Sequence, residues 1–298
     1  MDSGLHRCCN LRLAADGNVF GGSAMTQALV SAEMAEAWRR DGALPLRGVF
    51  SDDWLALLRE GVDRAMADPS PLSKDYARDG QGRFFTDHHM HRRLEPFRKF
   101  THESPAAEIC ARLMGATKVN LFDEHLLVKE PGTDAPTYWH QDLPYFEMTG
   151  TQICSLWIPL DPVTAETGAM KFVRGSHRWN RLFRPIRIGE GKLVEESEEY
   201  DGEAPDIDAA PDEYDIAIWD YAPGDCVAFH GAVLHGATPN RSSTVRRRAL
   251  AVRFAGDDVR WQPRAYIPSV PDRPDLEPGG PIDCDLYPVL WRAEGVEA

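Results

Sequence analysis

Residues 222–254 read APGDCVAFHGAVLHGATPNRSSTVRRRALAVRF. Asp225–Phe229 and Arg247–Phe254 are apolar runs of strand length, and a stretch rich in Gly, Pro, Asn and Ser separates them. Working outward, Val119–Val128, Gln152–Leu160, Ala169–Val173 and Ile216–Trp219 share this texture. No long helical pattern lies between these runs. A parallel βαβ sheet is therefore disfavoured, and an antiparallel barrel or double-sheet jelly roll is expected.

Upstream of Gly115 the pattern is helical. Ser31 can cap a helix that ends at Gly42, and Ser51 opens a second with Asp52 and Asp53 in its first turn. Ser104-Pro105 starts a third, which Gly115 ends. Residues 68–104 otherwise read as irregular, and the Pro-rich tail after Trp261 reads as a wrap without regular structure. The expected class is α+β with a mainly β core: a double-stranded β-helix (jelly roll) buttressed by N-terminal helices. Residues 1–24 read as a mobile tail and 25–298 as one domain, with its β-core at about 118–262.

The chain of 298 residues carries 33 Lys and Arg against 47 Asp and Glu, a net charge of −14. Generic nucleic-acid or anionic-membrane binding needs positive patches and is disfavoured. Residues 190–215 alone supply −11, so this lid-like insertion between strands is dense in acid while the rest is near neutral. No apolar run reaches the roughly 18 residues of a membrane span. The six cysteines form no C-x-x-C pair, which together with the lack of a signal-type N-terminus points to a cytoplasmic setting.

The chemistry centres on Trp139-His140-Gln141-Asp142. In an extended stretch His140 and Asp142 would point to one side, offering an imidazole and a carboxylate to a metal. His235, after a strand, supplies a second imidazole, completing the two-His, one-carboxylate set of non-heme Fe(II) oxygenases. An Arg from 246–248 entering the core beside such a metal can clamp a dicarboxylate bidentately. The competing histidines are read differently. The His-dense run Asp87-His88-His89-Met90-His91 could bind a metal, but without strand or helix periodicity it reads first as a border of the site mouth or of solvent. His230 is a core residue with a lesser claim to be a ligand, and His177 stabilises a turn. Glu124 and His125 read as strand residues. Lys129 is a candidate to face the site. Tyr145, Phe146, Met148, Phe84, Phe85 and Trp219 are candidates for a substrate pocket.

The pieces LLVKEPGT (126–133), WHQD (139–142), GAMKFVRGSH (168–177), APGDCVAFHGAVLHGATPN (222–240) and RRALAVRF (247–254) resemble the phytanoyl-CoA dioxygenase family of Fe(II)/2-oxoglutarate-dependent oxygenases. The resemblance implies that His140, Asp142 and His235 bind Fe(II). It also implies that Arg247, with Arg246 as the fallback, binds 2-oxoglutarate, and that Trp157 lines the cosubstrate pocket; Lys129 is a further candidate there from its own place in the strand. It implies O₂-dependent hydroxylation of a small organic molecule with release of succinate and CO₂. Ala237 departs from the family, whose members often carry Ser there. The retained Asp142 favours oxygenation over the halogenation of relatives that lack this carboxylate. The acidic insertion would repel CoA phosphates, so the expected substrate is not a CoA ester. The alternative is a non-catalytic or 2-oxoglutarate-independent cupin-like metal-binding protein.

Overall fold

The computed structural model describes residues 30–76, 82–187, 191–264, 266 and 275–295. The expected tail over 1–24 lies outside the described residues. Helix α1 (Ala32–Asp41) begins where Ser31 Oγ accepts the Met34 N–H at 3.2 Å, and it stops at Gly42, whose φ of 79° suits glycine. Strand β1 (Ala43–Leu46) follows, then α2 (Asp52–Ala67), which buries Leu55, Leu58, Val62 and Ala65.

The stretch read as irregular holds regular elements. These are β2 (Lys74–Asp75), β3 (Phe84–His88) and helix α3 (Glu95–Glu103), ahead of α4 (Ala106–Met114). The reason lies in burial. Phe84, Phe85, Thr86 and Asp87 of β3 are all buried, so no alternation marks the strand. Helix α3 shows the core only Pro96, Phe97, Phe100 and Thr101 among charged neighbours.

The remaining strands are β4 (Lys118–Lys129), β5 (Thr137–His140), β6 (Met148–Thr149), β7 (Ile153–Pro159), β8 (Met170–Val173), β9 (Ile186–Arg187), β10 (Lys192–Leu193), β11 (Ile216–Ile218), β12 (Cys226–His230), β13 (His235–Ala237), β14 (Arg247–Ala255), β15 (Arg260–Trp261) and β16 (Val289–Arg292). The larger sheet runs β1-β12-β7-β14-β4-β3-β2, and β16 also pairs with β4. The smaller sheet runs β11-β8-β13-β5. All the pairings are antiparallel. The Pro-rich tail is thus not wholly irregular: its end returns as β16 on the first half of β4.

Alternation along β14 sorts its side chains into two layers. Leu250, Val252 and Phe254 join Leu58, Val62, Phe97, Phe100 and Ile109 beneath the helices. Ala249 and Ala251 face the other way, into a layer with Trp157, Phe172 and Phe229 between the sheets. This is the jelly roll with a helical buttress. Each fully buried Leu, Val or Phe in these layers contributes about 1.5–3 kcal/mol. Among the described residues, no helix is long and apolar enough to cross a membrane.

His230 belongs to this packing. Its ring lies 5.6 Å from that of Trp38 on α1 and 5.0 Å from His177, and its Nδ1 accepts the Ala232 N–H at 3.0 Å. His177 Nε2 in turn meets the Arg39 carbonyl at 3.0 Å. Burial, reinforced by His177, pushes the His230 pKa down to about 4. The unfolded chain therefore binds the extra proton between about pH 6.5 and 4. This contribution to stability is complete above that window and is lost as pH falls through it. Thermal unfolding should show the Tm of the native chain falling more steeply across the window than that of His230→Gln, and equal slopes would remove His230 as the cause.

Candidate metal centre and its two cavities

Strand pairing brings the two candidate imidazoles together. β13 lies against β5 with His235 opposite His140, and the ring centroids are 4.2 Å apart. His140 Nδ1 lies 2.8 Å from the Tyr138 carbonyl, and His235 Nδ1 lies 3.0 Å from that of Val233. A carbonyl only accepts, so each Nδ1 carries the hydrogen and each Nε2 keeps its lone pair.

Asp142 arrives by a different route from the one expected. β5 ends at His140, and Asp142 has helical angles (φ −75°, ψ −39°) at the entrance to a 3₁₀ turn over Leu143–Tyr145. A bend, not strand alternation, thus brings the carboxylate to the imidazoles. Oδ1 lies 3.6 Å from His140 Nε2 and 3.7 Å from His235 Nε2. Oδ2 takes hydrogen bonds from Arg253 Nε (3.3 Å) and Ser155 Oγ (3.4 Å). One ligand atom from each of His140, Asp142 and His235 lies within 4.8 Å of the others, a spacing that suits a single ion.

The charge states suit a cation. Burial alone would raise the Asp142 pKa, but Arg253 and the two imidazoles hold it well below the usual carboxylate range. Burial, then His140, pushes His235 down to about 3, which keeps it a neutral ligand at ordinary pH.

A cavity of about 60 Å³ opens on this group, lined in part by Trp157, Phe229 and Arg247. Arg247 is 1% exposed, and its guanidinium sits 5.7 Å from the Trp157 ring. Nη1 reaches the Leu127 carbonyl at 3.3 Å, but Nε has no hydrogen-bond partner among the described residues. Burial lowers the Arg247 pKa to about 10. Its neighbour Arg246 instead points outward and pairs with Glu130 at 2.8 Å. Lys129, opposite Arg247 across the strands, ends on the carbonyls of Ala135 (2.7 Å) and Thr238 (3.2 Å) rather than in the cavity.

A second cavity, about 520 Å³, adjoins the first. Tyr145 and Phe146 line it, together with Phe122, Tyr287, Lys74 and Arg187. Phe84 lines the small cavity instead. Met148 is packed against Phe122 and Trp261, Phe85 lies in the helix-facing core, and Trp219 packs on Phe172. His125, Asp142 and Arg253 line both cavities. Arg253 also donates to Asp123 at 2.8 Å, and Asp123 meets His88 Nδ1 at 3.0 Å. His88 stacks on His125 with centroids 3.9 Å apart. Sequence reading missed Arg253, although its parity with Arg247 along β14 places it inward. Asp123 and His125 have the same inward parity on β4 with Lys129.

The acidic insertion packs against the smaller sheet, beside Trp139 of β5 and Val173 of β8. Val194 and Ile207 are buried beneath it, and Asp208 accepts from Trp139 Nε1 (2.9 Å) and Lys171 Nζ (2.7 Å). Glu203 pairs with Arg184 at 2.9 Å. No described acid of 191–215 lines either cavity.

Fold and site together define a jelly roll of the non-heme oxygenase type. The model of the phytanoyl-CoA dioxygenase (PhyH) family matches residues 38–249, and the chain belongs to that family. It is 29% identical over 161 residues to a probable phytanoyl-CoA dioxygenase of Caenorhabditis elegans, covering 51% of this chain and 48% of that one. It is 26% identical over 261 residues to the multifunctional dioxygenase prhA of Penicillium brasilianum, covering 80% and 76%. The chain thus spans about half the length of the nematode relative and about three quarters of the fungal one. Its fold superposes on the non-heme alpha-ketoglutarate-dependent carbocyclase SnoK of nogalamycin biosynthesis with a TM-score of 0.68 at 22% identity, covering 92% of this chain and 100% of that one.

The closeness of β5 and β13 is itself testable. A Cβ at Gly236 would lie 2.8 Å from the Thr137 carbonyl oxygen, a backbone atom of the paired strand. Gly236→Ala should push His235 from His140 and weaken Co(II) binding by about tenfold or more, roughly 1.4 kcal/mol. Isothermal titration checks this, and unchanged affinity would show that the strand spacing does not set the site.

Proposed function

We propose that this chain is an Fe(II)/2-oxoglutarate-dependent dioxygenase that hydroxylates a small organic molecule. The observation that carries the reading is Arg247: a fully buried guanidinium with an unpartnered Nε, beside two imidazoles and a carboxylate. A buried cation left so is costly unless a ligand completes it, and a dicarboxylate cosubstrate supplies the missing anion. A 2-oxoglutarate-independent metal protein would have no use for it.

His140 Nε2, His235 Nε2 and Asp142 Oδ1 are the ligands we assign to Fe(II), a donor set that fits that ion. Arg247 holds the distal carboxylate of 2-oxoglutarate, and Trp157 forms the wall of its pocket. Lys129 fixes the backbone at Ala135 and Thr238 on the same side. Iron, 2-oxoglutarate and O₂ together supply oxidative decarboxylation to succinate and CO₂, with one oxygen atom delivered to substrate. The protein's own part is placement. Arg253 and Ser155 occupy Asp142 Oδ2, which leaves Oδ1 free toward the imidazoles.

The substrate occupies the 520 Å³ cavity, with its reacting carbon near His125, where the two cavities meet. The size of that cavity supports a compact molecule over a CoA thioester.

Succinate formation from 2-oxoglutarate with added Fe(II) tests the activity, and anaerobic titration of the Fe(II) protein with 2-oxoglutarate tests cosubstrate binding. Absence of both would overturn the reading. Asp142→Ala or His235→Ala should abolish turnover. Arg247→Ala should raise the 2-oxoglutarate requirement by roughly 10- to 100-fold, from the ~1.5–3 kcal/mol of a charge-assisted hydrogen bond. Arg253→Met should weaken Fe(II) binding by about 10- to 100-fold, measured by competition with a chelating dye.

A further inference from the structure

A second cluster of the same donor chemistry lies outside the site described. β3 ends at His88, and the chain turns through His89 into a 3₁₀ turn over Met90–Arg92. This turn docks on the middle of β4, where the His89 N–H donates to the Glu124 carbonyl oxygen at 3.2 Å. The Glu124 side chain is 0% exposed. Its Oε1 accepts the His91 backbone N–H, and its Oε2 lies 2.6 Å from His91 Nδ1. His89 approaches the same point. Its side chain is 10% exposed, and its buried Nδ1 has no hydrogen-bond partner among the described residues. One ligand atom from each of His89, His91 and Glu124 lies within 4.8 Å of the others.

A buried carboxylate flanked by two imidazoles, one of them with an idle nitrogen, is half satisfied as it stands. Hydrogen bonding to His91 explains Glu124, and Asp123 Oδ1 lies 3.6 Å from His89 Nε2, but nothing among the described residues meets His89 Nδ1. We propose that His89, His91 and Glu124 form a second divalent-metal site, which takes a borderline cation such as Zn(II) or Co(II) in preference to Mg(II) or Ca(II). Two nitrogen donors and one carboxylate match Zn(II), whereas Mg(II) and Ca(II) demand oxygen ligands. The metal takes the place of the hydrogen bond between His91 Nδ1 and Glu124 Oε2, and the proton of that bond leaves to solvent. His89 also lines the 520 Å³ cavity, so the site borders the space assigned to substrate. A metal there ties the end of β3 and the turn after it to β4, fixing the cavity's His88 and His89 wall.

The test counts metal on the full chain after stripping with chelator. Co(II) is titrated by calorimetry, and bound metal is counted by elemental analysis after desalting. The native chain should bind two equivalents. Asp142→Ala and His89→Ala should each bind one, and the double variant neither, with the His89→Ala change weakening its site by on the order of 100-fold or more. His89 makes no hydrogen bond through Nδ1 and only a 3.6 Å contact through Nε2 to Asp123, which Arg253 and His88 also hold, so its removal should leave the fold intact, checked by circular dichroism. Glu124→Gln, which keeps the shape but not the charge, should give the same loss. One equivalent in the native chain, lost in Asp142→Ala, overturns the second site alone. Two equivalents that both survive His89→Ala also overturn it. Retention of both equivalents in Asp142→Ala would instead count against the iron site.

Discussion

The two-residue alternation of β14 is the constraint on which the rest depends. Its even-numbered apolar side chains hold the helices, and its odd-numbered positions put Arg247 and Arg253 between the sheets. Both guanidiniums enter the interior because a strand that buries Leu250 and Val252 on one face must send its alternate residues to the other. The helical buttress and the active cavity are two readings of one strand.

Two buried arginines call for two solutions. Arg253 is met within the fold by Asp123 and Asp142, and these pairs hold the Asp142 carboxylate toward His140 and His235. Burying such charges costs several kcal/mol per ion unless geometry and hydrogen bonds compensate. Arg247 has the Leu127 carbonyl, the Trp157 face and the more distant charge of Asp161, and among the described residues no carboxylate bonds to it. That asymmetry is the ground on which we propose Arg253 as a positioning cation and Arg247 as the cosubstrate's anchor.

Much of this was legible in the residues. Gly42 and Gly115 end helices as their sequence context suggests, and β4, β7, β8, β11, β12 and β14 follow their apolar runs, whereas the short β5, β6, β9, β10, β13, β15 and β16 carry no such run. The grouping of His140, Asp142 and His235 was legible as well, but not its local cause: the turn that Leu143-Pro144 starts brings Asp142 in, where alternation was expected. β3 was hidden because both of its faces are covered. The partners of Arg253 were hidden because Asp123 lies 130 positions away in the chain and meets it only once β4 pairs with β14. Spacing carries no sign of such a pairing. The acid of 190–215 was visible as charge, while its anchoring through Ile207 and Asp208 needed the fold.

The pairing of β4 has a consequence for the order of assembly. Its second half finds β3, made about forty residues earlier, whereas its first half waits for β16, more than 160 residues downstream. While the chain is being synthesised, Lys118–Asn120 therefore present a bare sheet edge, open to chance pairing with any extended segment nearby. The segment 289–292 thus acts as a late closing seam, and a chain cut short before it would keep the barrel's interior yet carry a sticky flank.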